Sequence, residues 1–304
     1  MNILITGGAG NIGSYLVQTL CAYNNANIVV VDNFLTGRFK NLHPVKNSIV
    51  LHDMDCNNPD FEQFILDTYD NFDIIVHLAA VVGVERTLEF PEKVLADFQG
   101  FMNIVNIAKQ FKTCKVLFAS SSEVYGEPVE HPQNEKTTPL NAQLPYAVTK
   151  LMGEKVFETY SKINNFTYCN MRLFNTYGPN QSLDFVVPKF VHCAKNNLPI
   201  TIIGNGEQTR TFCYIQDTVD AIISLFDCNL NVINIGSHVE ISMIELASIV
   251  KDVLKSKSEI IFLPERARGD MLRRCPENYA MLSKLGRELT PIALGIEKMV
   301  HDGA

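Results

Sequence analysis

Side chains that can transfer a proton or hydrogen-bond a ligand lie in two neighbouring stretches of the sequence. Tyr146 and Lys150 are four residues apart, so both lie on one face of a helix that is predicted to begin near Pro145. The run Ser120-Ser121-Ser122-Glu123 follows a predicted strand, and ligands bind at the carboxyl ends of strands in open α/β sheets. Tyr and Lys also occur on solvated helix faces, and Ser-rich runs also cap helices. Whether these residues form a catalytic site therefore depends on the rest of the sequence.

The run Thr6-Gly7-Gly8-Ala9-Gly10-Asn11-Ile12-Gly13 joins the first predicted strand to the first predicted helix. In such a loop Gly7 permits a tight turn, Gly10 lets a pyrophosphate approach the backbone, and Gly13 lets the helix pack on the strand. The helix N-terminus supplies N–H donors to the anion. An ordinary turn can also be rich in glycine, but Asp32 ends the second predicted strand about 20 residues after Gly13, as in dinucleotide-binding folds.

Asp32 also indicates which dinucleotide binds. A carboxylate at this position accepts hydrogen bonds from a ribose 2′-hydroxyl and repels a 2′-phosphate, which favours NAD over NADP. Arg38 is close enough to Asp32 in sequence to bind the 2′-phosphate of NADP. The predicted preference for NAD is therefore to be tested by comparing activity with the two cofactors.

These residues have to be positioned by a sheet, and the first half of the sequence alternates short apolar runs with segments of helical period. The runs are apolar throughout, which is typical of parallel strands buried on both faces. We predict strands at 2–6, 27–31, 48–51, 72–78, 115–119 and 167–174, and helices at 11–22, 59–69, 91–111 and 145–164. This order favours an α/β fold with a doubly wound parallel Rossmann sheet.

Beyond about Asn175 the sequence becomes richer in turns, with strands predicted at 200–203 and 232–235 and helices at 216–226 and 241–254. We predict that residues 1–174 form the NAD-binding domain, with 212–236 returning to it. Residues 175–211 and 237–304 are predicted to form a smaller, interleaved C-terminal substrate domain.

The composition restricts the partners. The 304 residues include 33 acidic and 26 basic ones, and the net charge of −7 argues against a nucleic-acid partner. No apolar run reaches the roughly 18 residues of a membrane span. The eight cysteines and seven histidines show no metal-ligand spacing. We therefore expect a cytoplasmic protein that binds no nucleic acid, membrane or metal.

Taken together, the motifs resemble those of the extended short-chain dehydrogenase/reductase family, the NAD-dependent nucleotide-sugar epimerases, dehydratases and decarboxylases. The resemblance covers nearly the whole chain. It rests on the glycine loop, Asp32, the Ser121 loop and the Tyr146/Lys150 pair, and further on Asp53-Met54, His77-Leu78-Ala79-Ala80, Arg172-Leu173-Phe174-Asn175-Thr176-Tyr177-Gly178-Pro179 and Gln208-Thr209-Arg210-Thr211-Phe212.

The resemblance implies a role for each of the chemical groups. Tyr146 would remove a proton from a sugar hydroxyl while hydride leaves the same carbon for NAD, and Lys150 would favour the phenolate. Ser121 would hydrogen-bond the substrate oxygen, and Ser122 and Glu123 are further catalytic candidates. The implied cofactor-binding residues are Gly7, Gly10, Asn11, Ile12, Gly13, Asp32, Asn33, Asp53, Met54, Leu78, Ala79, Ala80, Ser120, Tyr146 and Lys150.

The implied substrate is a nucleoside-diphosphate sugar, whose phosphates suit the forked donors of arginine. The implied substrate-binding residues are Asn175, Phe185, Val187, Lys189, Thr201, Ile203, Arg210, Arg266 and Arg268. The sequence does not identify which arginine of the 266–274 stretch binds the diphosphate, because the spacing there differs from the usual family pattern. The alternative is that these arginines lie on a solvated surface.

Comparison with the known reactions of the family eliminates some candidates for the net reaction. The run from Ser120 to Gly126 is most similar to UDP-glucuronate decarboxylases, but residues 179–185 supply no arginine for a substrate carboxylate, and Ser122 replaces the Asp expected of dehydratases. We expect oxidation of the sugar C4 hydroxyl, with 4-epimerisation or 4-dehydrogenation as the outcome. Decarboxylation, 4,6-dehydration and a non-catalytic NAD-binding regulator are the alternatives.

Two further expectations come from the same resemblance. Asp97 and Phe101 stand where the family usually has Asn and Thr, which affects the cofactor pocket. Family members commonly pair the predicted helices 91–111 and 145–164 with those of a second subunit, so a homodimer is expected.

Overall fold

The computed structural model of the chain describes residues 1–23, 26–82, 87, 89–111, 114–127, 129–264 and 273–302. Within these ranges the strands are β1 (Asn2–Thr6), β2 (Asn27–Asp32), β3 (Ile49–Asp53), β4 (Ile74–His77), β5 (Lys115–Ser121), β6 (Thr167–Leu173), β7 (Thr176–Tyr177), β8 (Ile200–Ile203), β9 (Thr209–Thr211), β10 (Cys213–Tyr214), β11 (Val232–Ile235), β12 (Glu240–Ser242) and β13 (Ile260–Leu263). The α-helices are α1 (Asn11–Ala22), α2 (Phe61–Thr68), α3 (Pro91–Gln110), α4 (Pro145–Ile163), α5 (Val186–Lys195), α6 (Ile215–Ser224), α7 (Met243–Leu254), α8 (Tyr279–Leu285) and α9 (Ile292–Asp302). Short 3₁₀ helices span Phe39–Val45 and Ser122–Tyr125.

Seven strands form the central sheet, in the order β11-β6-β5-β4-β1-β2-β3. The neighbouring strands from β3 through β5 pair in parallel. Apolar side chains of the sheet, such as Leu4, Val29 and Ile75, pack with helix residues such as Phe61 and Ile104 in one buried cluster. The α/β fold with a parallel Rossmann sheet is therefore confirmed.

The strand order reverses between β1 and β4, at the carboxyl edge where open α/β sheets bind their ligands. From β1 the chain moves outward to β2 and β3, then returns to the other side of β1 as β4. In open α/β sheets ligands bind where the strand order reverses in this way. The glycine loop follows β1, and the segment beginning at Leu78 follows β4, so both line this edge of the sheet.

The chain divides into two compact units, each made of three separate stretches. The first unit comprises Met1–Gly126, Leu140–Arg172 and Val219–Ile233, and the second comprises Glu127–Pro139, Leu173–Thr218 and Asn234–Ala304. The predicted boundaries differ in that Glu127–Pro139 and the short pieces 173–174, 212–218 and 234–236 group with the second unit. Backbone hydrogen bonds explain the first difference, because Gln133 donates to the carbonyl of Cys275 and accepts from the N–H of Glu277.

The second unit contains three two-stranded sheets, β10-β7, β12-β9 and β13-β8. Its helix α7 begins with a capping box in which Ser242 and Glu245 satisfy each other's backbone N–H groups. Among the helices in the described ranges, none combines the length and the apolar character needed to cross a bilayer.

Candidate functional site

The glycine loop has a geometry that excludes larger side chains. Gly7 has a φ of +73°, and a Cβ placed on it would lie 2.7 Å from the backbone nitrogen of Ala79. A Cβ on Gly13 would overlap the carbonyl oxygen of Gly7. Helix α1 begins directly after Gly10, whose carbonyl accepts the N–H of Ser14 at 3.0 Å. The first turn of this helix directs its N–H groups towards the loop, an arrangement that fits the pyrophosphate of a dinucleotide.

Asn11 and Ile12 are the first two residues of α1, and the first turn contains no acidic side chain that would compete with a bound anion. Both are half-buried. Their backbone N–H groups lie at the positive end of the helix, which is the property that the predicted cofactor role requires.

Asp32 ends β2 with its carboxylate fixed against the glycine loop. It is 7% exposed, and Oδ2 accepts the N–H of Ala9 while Oδ1 accepts the N–H of Phe34, each at 2.8 Å. Burial raises the pKa of Asp32, the two backbone hydrogen bonds lower it, and the neighbouring Asp53 raises it. A carboxylate oriented by two backbone donors retains lone pairs for the hydroxyls of a ribose.

The ends of β2 and β3 are joined at the same edge. The N–H of Met54 donates to the carbonyl of Asp32 at 3.2 Å, and the side-chain amide of Asn33 donates to Asp55 at 3.0 Å. Asp53 and Asn33 are exposed and Met54 is half-buried. The structure thus places the three predicted residues Asn33, Asp53 and Met54 beside Asp32.

The segment after β4 forms the opposite side of the glycine loop. The N–H of Leu78 donates to the carbonyl of Thr6 at 3.0 Å, and the backbone of Ala79 occupies the space that a Cβ on Gly7 would need. Leu78, Ala79 and Ala80 are all half-buried. Ala79 and Ala80 have small side chains, which suits residues that would line a bound cofactor.

Helix α4 begins at Pro145 because proline is favoured in the first turn and holds the preceding Leu144 in an extended conformation. This start places Tyr146 in the first turn and Lys150 one turn later. Tyr146 is half-buried, whereas Lys150 is only 3% exposed. The Nζ atom of Lys150 lies 5.7 Å from the ring centroid of Tyr146 and 5.0 Å from that of Phe118.

Burial and neighbouring groups shift the pKa of Lys150. Burial lowers its pKa to about 8, against the opposing effects of Asp97 and Cys56. Burial raises the pKa of Asp97, and Lys150 lowers it. A cation held one helical turn from Tyr146 favours the phenolate form of that side chain.

The serines follow β5 into a short 3₁₀ helix. The Oγ atom of Ser121 accepts the N–H of Glu123 at 3.2 Å and so caps the helix Ser122–Tyr125. Ser121 is 8% exposed, Ser122 is 2% exposed and Glu123 is half-buried. Helix α4 packs against both β5 and this 3₁₀ helix, so the structure brings the serines and the Tyr146/Lys150 pair into one unit.

Sequence reasoning missed a buried ionic network beneath these residues. The hydroxyl of Ser120 donates to Glu154 at 2.5 Å, and Arg172 donates to both carboxylate oxygens of Glu154, at 2.9 and 2.8 Å. Arg172 also donates to the hydroxyl of Tyr125 at 3.0 Å. The one sequence signal for this network was the position of Glu154, four residues after Lys150 and therefore on the same face of the helix.

The second unit carries the predicted substrate-binding residues. Asn175 donates to the carbonyl of Thr211 at 3.1 Å, which brings it next to β9 and Arg210. Thr201 and Ile203 are half-buried on β8, where they alternate with fully buried neighbours. Phe185 and Lys189 are exposed at the start of α5, whereas Val187 is 2% exposed.

The predicted arginine stretch 266–274 is only partly within the described residues. Arg266 and Arg268 lie outside them. Arg273 binds Glu240 through two donors, with Nε at 2.8 Å from Oε1 and Nη2 at 2.6 Å from Oε2. Arg274 is 9% exposed, so this arginine is not the solvated surface residue that the sequence allowed.

Similarity to known proteins agrees with this geometry. The family model described as GDP-mannose 4,6 dehydratase matches residues 4–273. The chain belongs to the extended short-chain dehydrogenase/reductase family. It is 34% identical to UDP-glucuronic acid decarboxylase 1 of Xenopus tropicalis, over 98% of this chain and 71% of that protein.

Solved structures of the extended short-chain dehydrogenase/reductase family superpose on the whole chain. UDP-glucose 4-epimerase of Thermotoga maritima, solved with UDP-glucose, is 26% identical with a TM-score of 0.91, over 99% of this chain and 98% of that one. UDP-glucuronic acid 4-epimerase of Bacillus cereus, solved with UDP-glucuronic acid and NAD, is 26% identical with a TM-score of 0.87, over 100% and 98%. The family contains NAD-dependent nucleotide-sugar epimerases, dehydratases and decarboxylases, so the predicted family is confirmed.

Proposed function

We propose that the protein is an NAD-dependent enzyme that oxidises the C4 hydroxyl of a nucleoside-diphosphate sugar. The observation that carries the proposal is the buried ammonium of Lys150, one helical turn from Tyr146 and 5.7 Å from its ring centroid. The same unit contains the glycine loop and Asp32, which fit a dinucleotide. A non-catalytic NAD-binding protein would need the loop but not the Tyr146/Lys150 pair.

NAD would be held by the residues at the carboxyl edge of the sheet. Gly10 would let the pyrophosphate approach the backbone, while Gly7 and Gly13 allow the tight turn and the close packing of the helix. Asp32 accepts hydrogen bonds from a ribose, and its negative charge disfavours the extra phosphate of NADP. When bound, NAD supplies the hydride acceptor and, in a redox-neutral reaction, returns the hydride to the sugar.

The residues of the chain move the proton and orient the sugar. Tyr146, as a phenolate, accepts the proton of the C4 hydroxyl, while the ammonium of Lys150 stabilises the negative charge of the phenolate. Ser121 donates a hydrogen bond to the C4 oxygen as its bond to carbon becomes a carbonyl. Ser122 and Glu123 are the first two residues of the 3₁₀ helix that Ser121 caps. We assign their side chains to later steps on the 4-keto sugar.

We propose 4-epimerisation as the net reaction. Return of the hydride to the opposite face of the 4-keto sugar, with return of the proton from Tyr146, gives the C4 epimer and leaves no net redox change. Both solved structures described above are 4-epimerases. Release of the 4-keto sugar would instead give a net 4-dehydrogenation.

UDP-glucuronic acid decarboxylation is the second candidate. It is favoured by the 34% identity to a UDP-glucuronic acid decarboxylase over nearly the whole chain, together with the Ser-Glu-Val-Tyr run from Ser122 to Tyr125. In that reaction the 4-keto group accepts the electrons left when the C5 carboxylate departs as CO₂. Against it, residues 179–185 contain no arginine to bind that carboxylate.

The second unit is proposed to bind the nucleotide. Asn175 and Arg210, together with Arg266 or Arg268, are assigned to the diphosphate, because guanidinium groups bind phosphate oxygens through paired donors. Phe185, Val187, Lys189, Thr201 and Ile203 are assigned to the walls around the nucleobase. Substitution of Arg210 by Gln should raise KM much more than it lowers kcat.

A homodimer through α3 and α4 is also proposed. Leu95 and Phe98 on α3 and Val148 on α4 are 49%, 41% and 41% exposed, and such apolar side chains favour burial against a partner. Light scattering, which measures the molar mass in solution, should show a dimer for the wild type and a larger monomer fraction for Phe98→Glu. A monomeric wild type would contradict it.

The decisive experiment incubates the purified protein and NAD with UDP-, GDP-, CDP- and dTDP-sugars, including UDP-glucuronic acid. Product identity, CO₂ and NADH absorbance separate the outcomes: an epimer alone supports the proposal, CO₂ supports the second candidate, and accumulating NADH indicates net oxidation. Tyr146→Phe should lower turnover by about 10²-fold to 10⁴-fold. Unchanged turnover in this variant would exclude the assigned mechanism.

A further inference from the structure

The 3₁₀ helix Phe39–Val45 contacts the glycine loop through the side chain of Asn41. This residue is 5% exposed, and its amide Nδ2 donates to the carbonyl of Ala9 at 2.9 Å. The 3₁₀ helix packs against α1, where the side chain of Gln18 donates to the backbone carbonyl of Asn41 at 2.7 Å. Asn41 is therefore held at its backbone while its side chain reaches the loop.

The chain comes this close to the loop because Gly37 has no side chain. A Cβ on Gly37 would lie 2.9 Å from the Cβ of Ala9 and 2.7 Å from Oδ1 of Asp32. The next residue, Arg38, donates its backbone N–H to the same Ala9 carbonyl at 3.0 Å. Two donors from residues 37–41 therefore meet one carbonyl of the glycine loop.

These contacts fix the peptide group between Ala9 and Gly10 at both ends. Its carbonyl accepts from Arg38 and Asn41, and its N–H, which belongs to Gly10, donates to the carbonyl of Gly7 at 3.2 Å. Gly10 directly precedes α1 and is the residue that we assign to the close approach of the pyrophosphate. The orientation of this peptide therefore sets where the Gly10 backbone lies relative to the N-terminus of α1.

The second polar atom of the Asn41 side chain is buried without a partner. None of the described residues donates a hydrogen bond to Oδ1. Buried polar atoms are nearly always hydrogen-bonded, and leaving an acceptor unsatisfied costs free energy. An amide is thus present here at a cost in stability, which points to a use for the donor Nδ2 on the loop.

We propose that Asn41 is a positioning residue that holds the glycine loop in its NAD-binding conformation in the free protein. The proposal rests on the assignment of this loop to the pyrophosphate. Residues 7–10 include three glycines, which give the loop much conformational freedom. Ordering such a loop only on binding would weaken the affinity. Asn41 removes part of that cost in advance.

Asn41→Leu separates the hydrogen-bond donor from the packing, because leucine has nearly the size of asparagine but donates no hydrogen bond. The Ala9 carbonyl keeps the N–H of Arg38, and the buried acceptor Oδ1 is removed. The free energy of unfolding without NAD should therefore stay close to that of the wild type. NAD should bind about tenfold more weakly, because the loop then becomes ordered only on binding.

The matched control is Gln18→Ala, which removes the other side-chain hydrogen bond of this 3₁₀ helix but leaves the donor to Ala9. Asn41→Ala is a second variant in case leucine disturbs the fold. Calorimetric titration gives the Kd for NAD, and urea denaturation without NAD gives the free energy of unfolding. Amide hydrogen exchange of the NAD-free protein reports the order of the loop at Ala9 and Gly10.

We expect weaker NAD binding and faster exchange at Ala9 and Gly10 in both Asn41 variants, and values near the wild type in Gln18→Ala. With the substrate identified above, the KM for NAD should rise while kcat stays within about twofold of the wild-type value. A merely structural role would instead lower the free energy of unfolding in step with the affinity.

Equal weakening of NAD binding in Gln18→Ala would assign the effect to the placement of the 3₁₀ helix and overturn the proposal. Wild-type affinity in a folded Asn41 variant would also overturn it, as would an equal loss of affinity and of unfolding free energy. A wild type that binds NAD but turns over no nucleotide sugar would overturn the proposed function alone, since the binding and exchange data still decide the role of Asn41. A wild type that binds no NAD would overturn both.

Discussion

Glu154 and Arg172 form a two-point ion pair in the interior of the first unit, with side chains only 4% and 6% exposed. The pair joins α4, which carries Tyr146 and Lys150, to β6. Because Glu154 also accepts the Ser120 hydroxyl, it links the helix of the proposed base to the strand that leads into the serines. Removing one partner of such a pair leaves a buried charge without compensation.

Replacement of Glu154 by Gln should therefore lower the free energy of unfolding by about 3–5 kcal/mol. Urea denaturation measures this value. The control is Glu158→Gln on the same helix, where the exposed pairs with Lys155 and Lys162 contribute about 0.5 kcal/mol each. Similar losses in the two variants would contradict the assigned importance of the buried pair.

Replacement of Gly7 by Ala should abolish NAD binding. The added Cβ would meet the backbone of Ala79, and the φ of +73° disfavours any side chain. Gly286→Ala is a matched control, since Gly286 has a φ of +61° but no atom within 4 Å of its Cβ position. Calorimetric titration with NAD should show binding in the control alone, with comparable circular dichroism. NAD binding by Gly7→Ala at wild-type affinity would argue against the loop as the pyrophosphate site.

Cofactor choice should depend on Asp32 and much less on its neighbour Asp53. The wild type is expected to bind NAD more tightly than NADP because the fixed carboxylate repels the 2′-phosphate. In Asp32→Asn the preference should shrink, through weaker NAD binding and loss of the repulsion. Asp53→Asn, an exposed residue in register with Asp32 on the next strand, should keep most of the preference. A wild type that prefers NADP would refute the assignment.

The stability of the protein should fall with acid in a window set partly by His77. Burial lowers the pKa of His77 in the folded state to about 3, below the value of about 6.5 expected when unfolded. Between these values the unfolded state binds more protons, so stability rises with pH by up to about 1.4 kcal/mol per unit and is lost on acidification. Unfolding free energies of His77→Gln and the wild type, compared across this window, should show a shallower slope in the variant. The half-buried His52 gives a control variant, His52→Gln, whose slope should stay closer to that of the wild type.

Much of the first unit could be predicted from local sequence. Strand β1 and helix α1 have the predicted bounds, since continuous apolar runs and a glycine-bounded helical period are both local signals. Pro145 fixed the start of α4 and thus the positions of Tyr146 and Lys150. Helix α5 was not predicted, although its buried residues Val187, Phe190, Val191 and Ala194 follow the helical period, because the surrounding turn-rich sequence obscured it.

The interactions between elements were less accessible from the sequence. Glu154 and Arg172 are separated by the end of one helix and most of a strand, and their pairing depends on α4 packing beside the sheet. Asp97 was recognised as a departure from the family pattern, but its relation to Lys150 depends on how α3 faces α4. The arginines were hardest to place, because a charged side chain gives no periodic signal that separates a solvated position from a buried one such as Arg274.

Lys115, the first residue of β5, has consequences for the order in which the chain folds. It is 7% exposed, and its ammonium donates to the carbonyls of Leu225 and Cys228, more than 100 residues later in the chain. A buried ammonium without such acceptors is costly, and both carbonyls belong to the last stretch of the first unit. On the ribosome, the first unit therefore completes its structure only after the intervening stretch Leu173–Thr218 of the second unit has been synthesised, so its completion cannot precede the synthesis of part of the second unit.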